Sequence, residues 1–261
     1  MNLLKKPVIA GNWKMHKNVS EARTLAAEIL GKSSEVSAAT LILIPPFTAI
    51  VEVKKVVSES QILVGAQNLF WEDQGAFTGE ISPGQLKEAG CQAVVIGHSE
   101  RRQYFGETDE TVRKKVLAAL KHDLIPVVCI GETLEQRESG QTLITIKNQL
   151  ERSIFTIEAE SFEKIILAYE PIWAIGTGRN ATPEQAEEVQ AFIRNLIAER
   201  YGKVVSDYAI ILYGGSVKPT NAFSLMREKD VDGFLIGGAS LDAESFVAIA
   251  REAIRAYEGK K

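Results

Sequence analysis

Short apolar runs rich in β-branched residues recur along the chain, at residues 7–12, 40–44, 62–66, 93–97, 125–130, 165–170, 208–213 and 233–237. They are apolar throughout instead of alternating with polar residues, the pattern of strands covered on both faces in a parallel sheet. Amphipathic segments with helical spacing lie between them, most clearly at 20–30, 110–121, 183–201 and 243–257, with a shorter candidate at 223–228. Asp109 and Thr182 are placed to cap two of these helices, and Pro183 suits a first helical position. Eight βα units without a long linker or low-complexity stretch predict one domain over residues 1–261. Their number favours a closed (β/α)₈ barrel; an open doubly wound sheet is the competing architecture.

In a barrel, chemistry gathers at the carboxyl ends of the strands. Polar residues and glycines stand at those ends repeatedly: Asn12 and Lys14 after the first run, His98 after the fourth, Glu170 after the sixth, Gly214-Gly215-Ser216 after the seventh and Gly237-Gly238 after the eighth. Read singly, each has a plain structural explanation: a surface lysine, a packed histidine, a glycine turn. Their common rim is what argues for a site.

Glu170 ends an apolar run and is followed by Pro171, which cannot extend a strand ladder, and then by Ile172-Trp173-Ala174-Ile175 bounded by Gly176 and Gly178. This pattern suits a carboxylate base on a strand tip beside a loop able to close and exclude water; a solvated Glu at a strand end is the alternative reading. Ser99-Glu100-Arg101 reads as the first turn of a short helix whose positive end would disfavour an imidazolium at His98. A neutral imidazole there suits hydrogen bonding to an enolate-like oxygen. Gly176, Ser216, Gly237 and Gly238 offer backbone N–H groups to a phosphate.

The net charge of −4 over 261 residues lacks the basic excess of a general nucleic-acid binder, so Lys14 carries weight as a local cation for an anionic substrate. Two cysteines, Cys91 and Cys129, suit a reducing compartment, and no run approaches the length of a membrane span. The expected location is cytoplasmic. The histidines are too scattered for a zinc site, Gly176–Ala181 follows a lid instead of joining strand to helix as a dinucleotide loop does, and no metal or cofactor is implied.

The segments Gly11-Asn12-Trp13-Lys14, Gly97-His98-Ser99-Glu100-Arg101-Arg102, 169–178 and Tyr213-Gly214-Gly215-Ser216, in this order, resemble those of the triosephosphate isomerase family. The resemblance implies a cofactor-free enzyme that interconverts dihydroxyacetone phosphate and glyceraldehyde 3-phosphate. It makes Glu170 the proton-transferring base, His98 the electrophile, Asn12 and Lys14 substrate-binding groups and Glu100 a further active-site carboxylate. It also implies a homodimer. The segment 67–82, long for a barrel loop and carrying Phe70, Trp71 and Phe77, would insert into the second subunit and place Thr78 beside the partner's Asn12 and Lys14.

Overall fold

The computed structural model describes residues 4–175 and 181–260. Eight strands, β1 (Val8–Asn12), β2 (Thr40–Ile44), β3 (Leu63–Ala66), β4 (Ala93–Ile96), β5 (Ile125–Ile130), β6 (Ile166–Tyr169), β7 (Ile210–Tyr213) and β8 (Gly233–Ile236), close into a parallel barrel in sequence order. The barrel prevails over the open sheet because β1 pairs with both β2 and β8.

Alternation along each strand builds two cores. Val8, Ala10, Ile42, Val95, Val127, Ile166, Ala168 and Leu212 fill the barrel interior. Their neighbours Ile9, Leu43, Val94, Val128, Leu167 and Ile211 face the surrounding helices. Both faces are therefore dry, which is why the runs are apolar throughout. The same pleat continues one step beyond the inward positions: Asn12 follows Ala10, Glu170 follows Ala168 and Gly214 follows Leu212, so these residues rise from the inner layer onto the carboxyl rim.

Between β7 and β8 the single registered pair is Tyr213 with Phe234. Asp232 supplements it: its N–H donates to Ile211 O and its carboxylate accepts from Ile211 N–H, both at 2.9 Å. Arg194 and Lys6 hold that buried carboxylate at 2.7 and 2.9 Å, closing the base of the barrel opposite the rim.

Several local boundaries differ from expectation. Residue 208 does not begin a strand; it ends the helix Lys203–Tyr208, and β7 starts at Ile210. The apolar residues Val204, Val205 and Tyr208 have helical spacing that the neighbouring strand obscures. The short helix expected at 223–228 is Pro219–Met226, because Pro219 fits a first helical turn. Asp109 is the first helical residue, and Thr108 is the cap, accepting from Thr111 N–H. Thr182 does cap Pro183–Tyr201, with Gln185 completing a reciprocal capping box. Thr182→Ala should cost about 1 kcal/mol, read as a melting-temperature drop of roughly 2–4 °C.

Candidate active site

Asn12, Lys14, His98, Glu170, Ser216, Gly237 and Gly238 line one cavity of about 310 Å³ on the carboxyl rim. Gly176 lies outside the described residues. Glu100 stands beside the cavity and binds its lysine.

Lys14 is fixed from several directions. Its backbone takes φ +51°, a conformation that costs a non-glycine residue energy. Asn12 Oδ1 accepts its N–H at 3.0 Å, and Gln67 Nε2 donates to its carbonyl at 2.7 Å. The ammonium reaches Glu100 Oε1 at 2.5 Å. Asn12 thus aims the lysine, and the root of the 67–82 segment braces it.

His98 is placed by Gly97, whose φ of +74° turns the chain as β4 ends, and it occupies the cap position of the helix Ser99–Phe105. Its Nδ1 accepts the Glu100 N–H at 3.2 Å, so that nitrogen carries no proton and Nε2 is the donor. Nε2 lies 3.0 Å from Glu170 Oε1, and Ser99 N–H donates to Glu170 Oε2 at 2.9 Å. Gly214 leaves room for the carboxylate, since a Cβ there would stand 3.0 Å from Glu170 Cγ.

Glu170 is 2% exposed. Burial raises its pKa, but His98, Ser99 N–H and Lys14 outweigh burial and hold the carboxyl below the usual carboxylate range. For His98, burial is the largest single influence and opposes the charged form, but the Glu170 and Glu100 carboxylates together outweigh it and raise the pKa. The Glu170 share of that influence depends on its remaining against the ring, whereas the Glu100 carboxylate and its N–H at Nδ1 stay beside it.

Glu132 escaped the sequence reading. It is fully buried after β5 and accepts from Tyr169 Oη at 3.1 Å and Trp173 Nε1 at 2.8 Å. Burial pushes its pKa up. Its signal is present in the sequence, since Ile130-Gly131-Glu132 is another strand end with a carboxylate. Cys129 is a buried free thiol beneath the site. Among the described residues, no group of three or more His, Cys, Asp or Glu side chains is arranged to hold a metal ion.

Fold and site together define a (β/α)₈-barrel with a buried carboxylate, an imidazole and an ammonium on one rim, the equipment of an acid–base enzyme acting on an anionic substrate. The sequence model described as triosephosphate isomerase matches residues 7–253. A triosephosphate isomerase of Caldanaerobacter subterraneus subsp. tengcongensis is 54% identical over 246 residues, covering 94% of this chain and 99% of the relative. Those of Moorella thermoacetica and Geobacter metallireducens are 52% and 48% identical, each over 94% of this chain and 98% of the relative. The chain belongs to the triosephosphate isomerase family.

Proposed function

We propose that the protein interconverts dihydroxyacetone phosphate and D-glyceraldehyde 3-phosphate by proton transfer through an enediolate. The observation that carries this reading is the convergence of Glu170, His98 and Lys14 on the cavity that Ser216, Gly237 and Gly238 also line. Phosphate would rest against the backbone N–H groups of those three residues, which neither a proline nor a bulky side chain obstructs. Glu170, parked on His98 and Ser99, must leave them to reach the substrate carbon. Once it does, the larger part of the influence raising the His98 pKa leaves with it, and only that of the Glu100 carboxylate stays. Burial and the Glu100 N–H then keep the ring neutral, with Nε2–H free to donate to the carbonyl and enediolate oxygens. The combination of a Glu base, a neutral His and a closing loop is a known pattern for this family, and these residues are assigned to it on that basis.

Pro171 and the short turn Ile172–Ala174 lead from the base into the rest of the loop, and Ile175 already lines the cavity. Closure of this segment would exclude water and strengthen each charge interaction inside. The reaction invokes no cofactor. Incubation with dihydroxyacetone phosphate in D₂O, followed by NMR, should show deuterium at the exchanging carbon together with formation of glyceraldehyde 3-phosphate. Absence of exchange would reject the isomerase reading.

The partner is a second copy of this chain. Met15, Phe47, Phe77, Tyr104 and Phe105 are exposed, and they follow β1, β2, β3 and β4, which are neighbours in the barrel. Large apolar groups gathered on one sector of a rim are the mark of an interface. Phe70 packs in tilted contact with both Trp71 and Phe77, shaping the 67–82 segment, while Thr78 at its tip is exposed and free to meet the partner's site. Sedimentation should give a dimer at working concentrations, with activity falling as dilution splits it; a fully active monomer would overturn the assignment.

No helix among the described residues is long and apolar enough to cross a membrane. Both cysteines are free and buried, which supports the cytoplasmic placement.

A further inference from the structure

The base assigned above needs its backbone held still, and the residues that hold it lie outside the cavity. Glu170 N–H donates to Ile130 O at 2.8 Å, and Ile172 N–H donates to Glu132 O at 3.1 Å. Gly131, between those two acceptors, is pressed against the base itself: a Cβ on it would stand 1.8 Å from Glu170 O and 2.7 Å from Glu170 C. The exit of β5 is thus a shelf of three residues on which the segment 170–173 rests.

Gly131 cannot secure the shelf with a side chain of its own. The ladder between β5 and β6 ends at Ile130 paired with Tyr169, leaving the Gly131 amide and carbonyl without a strand neighbour. Gln149 fills that place. Its Oε1 accepts the Gly131 N–H at 2.9 Å and its Nε2 donates to the Gly131 carbonyl at 3.0 Å, so the carboxamide pairs with the backbone as another strand would. Gln149 sits on the helix Thr142–Ser153, which is anchored by fully buried Ile146 and Leu150.

We infer that Gln149 is a positioning residue for the reaction: through Gly131 it fixes the shelf against which the Glu170 backbone rests, and so fixes the starting point from which the base reaches the substrate carbon. This rests on the assignment of Glu170 as base. Gln149 does not touch the cavity, whose phosphate side is built by β7 and β8 on other parts of the barrel. Its loss should therefore slow proton transfer without weakening phosphate binding.

The test is steady-state kinetics on the full-length protein carrying Gln149→Met, which keeps the side-chain length but neither bond. Gln149→Glu is the second variant: it keeps the bond from Gly131 N–H and sets a carboxylate against the Gly131 carbonyl. Rates are taken at temperatures where circular dichroism shows each variant folded. A 1 Å misplacement can cost roughly 10²-fold, so a partial shift should lower kcat about tenfold, with KM and the inhibition constant of inorganic phosphate unchanged. In a Glu170→Asp background, where the base is already withdrawn, the Gln149 substitution should cost less than in the wild type.

Unchanged kcat, a loss seen only in KM, or a loss fully additive with Glu170→Asp would each overturn the positioning role. The base assignment fails separately, by a Glu170→Asp protein that turns over at the wild-type rate, and the positioning role would then fall with it. A crippled Glu170→Asp beside a normal Gln149→Met removes the positioning role alone.

Discussion

Glu170→Asp is expected to lower kcat by about 10²-fold or more while KM changes little, because a displacement of roughly 1 Å in a catalytic group can cost that much. The substitution keeps the charge and removes one methylene. Nothing else in the site can make up the distance. The Glu170 backbone is pinned by its bond to Ile130 O and by Gly131 pressed against its carbonyl, so the main chain cannot advance to compensate. The shorter carboxylate also loses register with His98 Nε2 and Ser99 N–H, which now hold it at 3.0 and 2.9 Å. On the proposed reading substrate phosphate binds elsewhere on the rim, so affinity should survive. The measurement is kcat and KM together with the rate of deuterium uptake from D₂O. Exchange and turnover slowed in parallel identify the abstraction step. A variant within a few-fold of wild type would mean that another group takes the proton, with His98 the first candidate among the described cavity residues.

The parts of this molecule legible in the sequence are those written in single residues at strand ends. Asn12, Lys14, His98 and Glu170 could be placed on one rim because each stands at or just beyond the carboxyl end of an apolar run, and the two-sided apolar runs identified the strands. What the sequence does not expose is contact made through backbone. Gln149 is one polar residue on an otherwise ordinary amphipathic helix, and its partner is the peptide of a glycine 18 positions away. Glu132 differs: a carboxylate at a strand end met the same rule that found Glu170, yet its partners Tyr169 and Trp173 come from the next strand and loop. The short helices were also obscured, because 203–208 runs almost directly into β7 and its apolar residues read as the start of that strand.

Lys14→Met should reduce kcat/KM about 10²-fold, with KM rising and kcat falling together. Deleting a hydrogen bond to a charged group commonly costs about 1.5–3 kcal/mol, which corresponds to a factor of roughly 10–150. Lys14 belongs near the top of that range, for two reasons. The chain carries a net charge of −4, so a doubly anionic substrate approaches an unfavourable background and depends on this ammonium locally. The lysine is also held in place before substrate arrives, by Asn12 and Gln67 on its backbone and Glu100 on its tip, so it interacts at little further ordering cost. The loss should divide between the two constants, because in the proposed mechanism the charge meets both the bound phosphate ester and the enediolate that forms beside it. Lys14→Arg should rescue little: the planar guanidinium cannot reproduce a compact ammonium on a strained backbone in a cavity of about 310 Å³. Salt gives a second readout. Wild-type KM should climb with ionic strength as the attraction is screened, and that dependence should flatten in Lys14→Met. A variant whose KM rises but keeps the full wild-type salt dependence would show that the attraction comes from other charges, and would remove Lys14 from the binding site.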